Sequence, residues 1–422
     1  MPTPTVANFI PPDRLVLSDG RELGVTFEED RVPSYSLPDP LVFESGEEVS
    51  DVESWRRRRN EILELFQSHV YGRSPGAPTS LRSEVLESEP TALGGRAIRE
   101  QVRLHFGDAD TPALDVLIYR PATGDGPVPA FLGLDFFGNH SIHTDPAIIL
   151  SGQWMPDDPT QGVQRHRATE RSRGASASRW PVETIVERGY GLAVAYCGDL
   201  DPDYDDGFQN GIHPLFYREG QSRPDANQWG AIGAWAWGLS RILDFLESHP
   251  AVDHRRVAVI GHSRLGKTAL WAAAQDERFA MAISNQSGCA GAALSRRRLG
   301  ETVEAITTVF PHWFARNFQR YAGREDALPL DQHQLLALVA PRPLYVASAV
   351  LDRWSDPRGE FLGAMAAEPV YRLLGARGLD TDRMPEIDQP TGDVLAYHVR
   401  TGGHDVRLWD WLQFLAFADR HL

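Results

Sequence analysis

One serine in this sequence stands where an activated nucleophile would stand. Ser263 follows the apolar run 257–260, which predicts a buried strand, and precedes residues 267–276, which are rich in good helix formers. A strand, a tight turn with serine at its apex and a helix together present a hydroxyl above a parallel sheet. The usual turn is G-x-S-x-G, whereas residues 261–266 read G-H-S-R-L-G, one residue longer. The alternative is an ordinary strand-to-helix turn in which the serine caps the helix.

A nucleophilic serine needs a histidine as base and an acid that orients it. In an α/β-hydrolase the acid and then the histidine follow the serine, and the histidine lies in the loop after the last strand. That loop is T-G-G-H-D, which predicts His404 as the base. Asp352 directly follows the predicted strand 343–350, which predicts it as the acid. The alternatives are a surface-loop histidine, and an aspartate that caps a turn or pairs with Arg353.

The residues after Ser263 meet the electrostatic demand of ester cleavage, whose tetrahedral intermediate carries an oxyanion. The backbone N–H of Arg264 opens the predicted helix, where the dipole favours negative charge, and its guanidinium could add a charged donor. Lys267 lies about one turn after Ser263 on the same helix face. It could bind an anionic or hydroxylated substrate. The alternative is an ordinary lysine on a helix surface.

The elements that must position these residues alternate along the chain. Strands are predicted at 128–135, 190–196, 257–260, 281–284, 343–350 and 395–400. Helices are predicted at 52–70, 182–189, 228–249, 267–276, 359–376 and 409–417. Such alternation predicts an α/β fold, a mostly parallel sheet with helices on both faces in a three-layer sandwich. Two antiparallel strands, 100–106 and 113–119, precede it.

The domain prediction is simple. Residues 1–50 are rich in proline and acidic side chains, and we expect them to form an extended N-terminal arm. Residues 51–422 are expected to form a single catalytic domain with long inserted loops. No signal-peptide pattern is visible at the start, so we expect either a cytoplasmic protein or one exported to the periplasm or secreted with its signal removed.

Charge and cysteine content exclude several function classes. The formal net charge of −16 argues against nucleic acids and anionic membranes as partners. Cys197 and Cys289 are too few for a disulfide scaffold and form no C-x-x-C pair, so both are interpreted as buried thiols. The aspartate run in 199–206 does not fit a calcium-loop spacing, which favours a structural loop over a calcium site. We expect no metal, no cofactor and a monomer.

Several segments, in consistent order, resemble one family. The run G-H-S-R-L-G-K at 261–267 resembles the G-x-S-R-x-G-K signature of the glucuronoyl esterases, carbohydrate esterase family 15. Further segments resemble its bacterial members: 198–216, 228–240, 285–297, 310–314 and 402–404. The resemblance covers the chain from about residue 80 onward. It implies an α/β-hydrolase that cleaves the ester between 4-O-methyl-glucuronic acid on xylan and an alcohol of lignin, without a cofactor.

The resemblance also implies individual roles. Around the reacting carbonyl it implies Ser263 as nucleophile, His404 as base and Arg264 as oxyanion donor. Around the sugar it implies five residues: Lys267 and Glu301 on the uronate hydroxyls, Trp354 flanking the ring, and Trp313 and His312 as pocket walls.

Two positions depart from the family pattern. Gln286 occupies the slot after the strand 281–284 where many members carry glutamate, and glutamine cannot stabilise an imidazolium by charge. Either Asp352 is the acid, as in some members, or the enzyme is weakened. His262 stands where fungal members have cysteine, so a disulfide beside the serine is absent. Two rival functions follow: an acetyl-xylan or other carbohydrate esterase with the same triad, and an inactive carbohydrate-binding relative.

Overall fold

The apolar runs form the strands of a central sheet. The computed structural model describes residues 15–16, 22–107, 111–124 and 126–422. The strands are β1 (Leu15–Val16), β2 (Glu22–Leu23), β3 (Arg82–Thr91), β4 (Ala97–His105), β5 (Ala113–Pro121), β6 (Val128–Asp135), β7 (Gly191–Tyr196), β8 (Val252–His262), β9 (Met281–Asn285), β10 (Leu344–Ala349), β11 (Thr391–Gly392) and β12 (Leu395–Arg400). The helices are α1 (Val52–His69), α2 (Ala92–Gly95), α3 (Val182–Glu187), α4 (Ala231–Leu246), α5 (Arg264–Gln275), α6 (Val303–Val309), α7 (Gln332–Ala337), α8 (Pro357–Leu373) and α9 (Leu408–His421).

In the described chain, β3 to β12 form one ten-stranded sheet in the order β11-β12-β10-β9-β8-β6-β7-β5-β4-β3. The strands from β12 to β7 in this order run parallel, whereas β5, β4 and β3 pair antiparallel at one edge and β11 pairs antiparallel at the other. The predicted α/β fold and the antiparallel pair before it are confirmed. Because parallel strands end at one edge of the sheet, the loops after β8, β9, β10 and β12 meet there.

Helices cover both faces of the sheet. Alternate side chains of β6 show the two faces: Leu132 belongs to one buried cluster and Phe131 to the other. The first cluster packs the sheet against α1, α4, α5, α7 and α8. The second packs it against α3 and α9. The result is the predicted three-layer sandwich.

Helices α4 and α5 differ in their bounds from the sequence predictions, and α6 and α7 are additional. Helix α5 begins at Arg264 rather than at residue 267, because it starts directly at the serine turn. Helix α4 is shorter than the predicted 228–249, since Gln228 pairs as an isolated β-bridge with Arg73. Helices α6 and α7, of seven and six residues, were not predicted.

Part of the expected N-terminal arm, residues 1–14 and 17–21, lies outside the described residues. Within the described ranges, no helix combines the length and apolarity needed to cross a membrane.

Candidate active site

Ser263 occupies a strained backbone conformation between β8 and α5. Its φ of 57° and ψ of −129° lie in a region that residues with a side chain rarely adopt. Its N–H donates to the carbonyl oxygen of Asn285 at 2.9 Å, and its own carbonyl accepts from the N–H groups of Gly266 at 2.9 Å and Lys267 at 3.2 Å. These bonds hold the half-buried serine at the carboxyl edge of the sheet, at the start of a helix.

The two glycines flanking Ser263 lie where β8 and α5 approach each other closely. A Cβ on Gly261 would lie 1.9 Å from the carbonyl oxygen of Leu265, which no side chain tolerates. A Cβ on Gly266 would lie 3.1 Å from the carbonyl oxygen of Gly261, again tighter than usual contact. The end of β8 and the first turn of α5 therefore approach too closely for a side chain at 261 and leave little room for one at 266.

His404 and Asp352 form the expected pair. Nδ1 of His404 lies 2.7 Å from Oδ2 of Asp352. Asp352 is buried, which disfavours its charged form, but the charge of His404 and hydrogen bonds from His404 and Ser355 outweigh burial and lower its pKa. A proton on Nδ1 shared with Asp352 makes Nε2 the acceptor that a general base needs. The His404 side chain keeps 20% of its surface exposed, so substrate can reach it.

The loop that carries His404 is fastened to the end of β9. The N–H of Asp405 donates to the side-chain oxygen of Gln286 at 2.9 Å, and Nδ2 of Asn285 donates to the carbonyl oxygen of Asp405 at 3.1 Å. Asn285 also holds the backbone of Ser263. One strand end therefore fixes both Ser263 and His404, and this role of Asn285 and Gln286 was not predicted.

His262 packs beside the predicted base. Its ring centroid lies 4.5 Å from that of His404, and its Nδ1 accepts from Nδ2 of Asn285 at 2.8 Å. Burial, followed by repulsion from the His404 imidazole in its protonated form, lowers the pKa of His262 well below its usual range, so the His262 imidazole is neutral. The predicted buried thiols are confirmed, since Cys197 and Cys289 are both buried and unpaired.

Arg264 is buried with its charge paired. Nε lies 2.7 Å from Oδ2 of Asp203, and the guanidinium carbon lies 4.5 Å from the ring centroid of Phe136 and 5.5 Å from that of Trp313. Two aromatic rings and a carboxylate in contact restrict how the guanidinium can turn. The side chain is thus preorganised within the first turn of α5.

Asp203 contacts three side chains of this part of the site: Arg264, His312 and Trp313. It accepts hydrogen bonds from Nε2 of His312 at 2.9 Å and from Nε1 of Trp313 at 2.7 Å. Burial opposes its charge, but Arg264 and these two donors outweigh burial and lower the pKa of Asp203 to about 2. Asp203 therefore links His312 and Trp313, which the resemblance places in the pocket wall, to Arg264. The importance of Asp203 was missed, although it lies in the segment 198–216.

A second aspartate of the run 199–206, Asp201, is paired with a histidine inside the protein. Asp201 lies 3.2 Å from Nδ1 of His213, in a buried pair. Among the described residues, no group of histidine, cysteine, aspartate and glutamate side chains is arranged to hold a metal ion.

Lys267 is buried, with 4% of its side chain exposed, so the surface-lysine alternative is wrong. Its Nζ donates to the carbonyl oxygen of Ser287 at 2.5 Å and lies 3.5 Å from Oε2 of Glu301. The N–H of Glu301 donates to the carbonyl oxygen of Trp354 at 2.9 Å. The three residues expected to contact a sugar therefore lie together.

Glu301 also connects this group to the predicted base. Burial raises the pKa of Glu301, while the charges of Lys267 and His404 act against the rise. Trp354, whose carbonyl oxygen accepts from the N–H of Glu301, lies two residues after Asp352, which contacts His404. The buried Lys267–Glu301 pair therefore contacts the loop that carries Asp352.

Fold and site together define a class. A mostly parallel sheet with helices on both faces carries a strained serine after β8, an aspartate after β10 and a histidine after β12. This order and placement are those of an α/β-hydrolase.

Comparison with known proteins then identifies the family. The family model described as "Glucuronyl esterase, fungi" matches residues 220–375. Carbohydrate esterase MZ0003, from an unknown prokaryotic organism, is 49% identical over 94% of this chain and 92% of its own. The solved structure of a glucuronoyl esterase from Solibacter usitatus is 49% identical over 93% of this chain and 99% of that one, with a TM-score of 0.89. A 4-O-methyl-glucuronoyl methylesterase of Schizophyllum commune is 29% identical over 81% of this chain and 74% of its own. The chain belongs to carbohydrate esterase family 15, the glucuronoyl esterases, and is of the bacterial type.

Proposed function

We propose that this protein is a serine carboxylesterase that cleaves esters of glucuronic acid and 4-O-methyl-glucuronic acid. The observation that carries the proposal is the buried Lys267–Glu301 pair, because Lys267 lies on the helix that begins directly after Ser263. Burying two charges is costly, and a site that binds only a small acyl group has no need of them. A cation and a carboxylate side by side supply donors and acceptors for the hydroxyls of a sugar ring. The family names of the relatives support the same substrate class.

In the proposed reaction, His404 removes the proton from the Ser263 hydroxyl as its oxygen attacks the ester carbonyl. The resulting imidazolium is stabilised by Asp352, which lies 2.7 Å from Nδ1 and stays ionised because its pKa is lowered. The imidazolium then protonates the alcohol oxygen as the ester C–O bond breaks. The alcohol departs, and the uronate acyl group remains bound to Ser263. Water, activated by the same histidine, releases the acid.

We assign the stabilisation of the oxyanion in each tetrahedral intermediate to Arg264. Its backbone N–H opens α5, and its guanidinium contacts the rings of Phe136 and Trp313. Preorganised donors of this kind each contribute about 10²–10³ to kcat in acyl-transfer enzymes. Asp203 contributes indirectly, because it fixes the guanidinium.

For the natural substrate we propose the ester that joins a glucuronic acid branch of xylan to an alcohol of lignin. Lys267 and Glu301 would bind ring hydroxyls, and Trp354 would flank the ring. The alcohol would leave on the exposed side of His404.

Steady-state kinetics with benzyl glucuronate, methyl glucuronate and acetylated xylan test this function. We expect turnover of the two uronate esters and its loss in Ser263→Ala. A preparation that hydrolyses only acetyl esters would show the rival carbohydrate esterase instead. Covalent labelling of Ser263 by a fluorophosphonate separates an enzyme from an inactive binding relative, since an unlabelled serine would support the latter.

A further inference from the structure

A short N-terminal segment, residues 26–29, crosses the two loops that carry the proposed sugar contacts. The carbonyl oxygen of Thr26 accepts from the N–H of Gly300 at 2.8 Å, and the carbonyl oxygen of Phe27 accepts from the guanidinium of Arg353 at 2.8 Å. Gly300 directly precedes Glu301, and Arg353 directly precedes Trp354. The segment therefore bonds to the immediate chain neighbour of each of these two residues.

The Phe27 side chain reinforces this contact. Its ring centroid lies 6.3 Å from that of Trp354, with the planes tilted by 44°, and the guanidinium carbon of Arg353 lies 4.9 Å from its ring centroid. Phe27 is half-buried in this position. It thus supports the indole expected to flank the sugar ring.

Glu29 fastens the segment to buried charges. Its carboxylate lies 2.9 Å from Arg297, whose Nε lies 2.7 Å from Oδ2 of Asp356. Arg297 and Asp356 each keep only 3% of the side chain exposed. Arg358 lies 3.3 Å from the same glutamate. Residues 26–29 are therefore held by a charged network that continues into the loop after β10.

The two loops also leave each other little room. A Cβ on Gly300, whose φ is 68°, would lie 2.5 Å from the carbonyl oxygen of Trp354. The N–H of Glu301 donates to that same carbonyl. A displacement of either loop would therefore move both Glu301 and Trp354, and residues 26–29 contact both loops at once.

We propose that residues 26–29 position Glu301 and Trp354 for the uronate ring, and so set the affinity for uronate esters without taking part in acyl transfer. The inference rests on the proposed function. Phe27 and Glu29 are positioning residues here, since they act through Trp354 and Arg297.

Phe27→Ala and Glu29→Gln test the proposal with two substrates, benzyl glucuronate and 4-nitrophenyl acetate, which has no uronate ring. We expect KM for benzyl glucuronate to rise about 5- to 30-fold, which corresponds to one or two kcal/mol of lost positioning, with kcat within about twofold. Hydrolysis of 4-nitrophenyl acetate should not change. Phe27→Tyr should restore KM, because it keeps the ring.

Tyr35→Ala is the matched control, because Tyr35 is an exposed aromatic residue further along the same N-terminal region. Thermal unfolding of every variant shows whether it is folded. If Phe27→Ala does not fold, the kinetics of Glu29→Gln test the proposal instead. Unchanged KM, or equal losses with both substrates, would overturn the inference. Absence of benzyl glucuronate turnover in the unmodified protein would instead refute the proposed function.

Discussion

Gln286 and Asp405 are joined by a 2.9 Å hydrogen bond from the backbone N–H of Asp405 to the side-chain oxygen of Gln286. This bond gives the glutamine a role at the slot where the family resemblance places a glutamate. The amide holds the histidine loop, and the negative charge comes from Asp352, which contacts His404 directly. The contact removes the reason for expecting a weakened or inactive protein.

Asp352→Asn is expected to lower kcat for benzyl glucuronate by about 10³–10⁴, because the imidazolium loses its charged partner. Gln286→Ala should lower kcat by no more than about tenfold, since it removes one hydrogen bond to the loop. Steady-state kinetics of both variants, with thermal unfolding as a folding check, make the comparison. Similar mild losses in the two variants would contradict the assignment of Asp352.

Asp203→Asn is expected to lower both stability and kcat. The change leaves the buried guanidinium of Arg264 without its charged partner, which costs about 3–5 kcal/mol in comparable buried pairs. A mispositioned Arg264 should lower kcat about 10²-fold. Asp205→Asn, at an exposed position in the same loop, is the control and should lower neither the stability nor kcat. Wild-type kcat in folded Asp203→Asn would show that Arg264 does not depend on Asp203.

The raised pKa of Glu301 predicts a pH dependence of substrate affinity. Burial raises this pKa above the ordinary 4.5, so Glu301 becomes neutral on acidification earlier than an exposed glutamate. Its pairing with Lys267 then weakens, and KM for benzyl glucuronate should rise as the pH falls, from a pH above 4.5. Glu301→Gln should show a high KM that no longer changes over this range. The same KM profile in wild type and variant would rule out Glu301 as the group that titrates.

Glu360 should make the protein less stable as the pH rises. It is buried on α8, accepts from Oγ of Ser348 at 2.6 Å and from the N–H of Gly288 at 2.9 Å, and burial raises its pKa to about 8. Between about pH 4.5 and 8 the folded chain keeps a proton that the unfolded chain releases, so stability is lost as the pH rises through this window.

Thermal unfolding midpoints from pH 5 to 9 check this prediction. The midpoint of wild type should fall across the window more steeply than that of Glu360→Gln, whose neutral amide replaces the protonated acid. Glu368→Gln, on the same helix, should keep the wild-type slope. Parallel profiles for wild type and Glu360→Gln would show that another group is responsible.

The sequence by itself determined the local features of the site. Apolar runs and their periods predicted the strands β6 to β10 and β12, and glycines on both sides of Ser263 predicted the turn that carries it. The order of Ser263, Asp352 and His404 was also readable, because each residue directly follows a predicted strand or lies in the loop after one. Such signals depend on neighbouring residues, so one sequence is enough to find them.

Only the tertiary structure decided which distant side chains meet. Gln286 and Asp405 are 119 residues apart and Asp352 and His404 are 52 apart, and the parallel order of β8, β9, β10 and β12 brings them to one edge. The pairing of Asp203 with Arg264 is equally non-local. One aspartate in a run of aspartates has no local signal that marks it as the partner of an arginine. The role of Asp203 follows from burial, because a charge that is removed from water must be paired. The fold determines which opposite charge lies next to it.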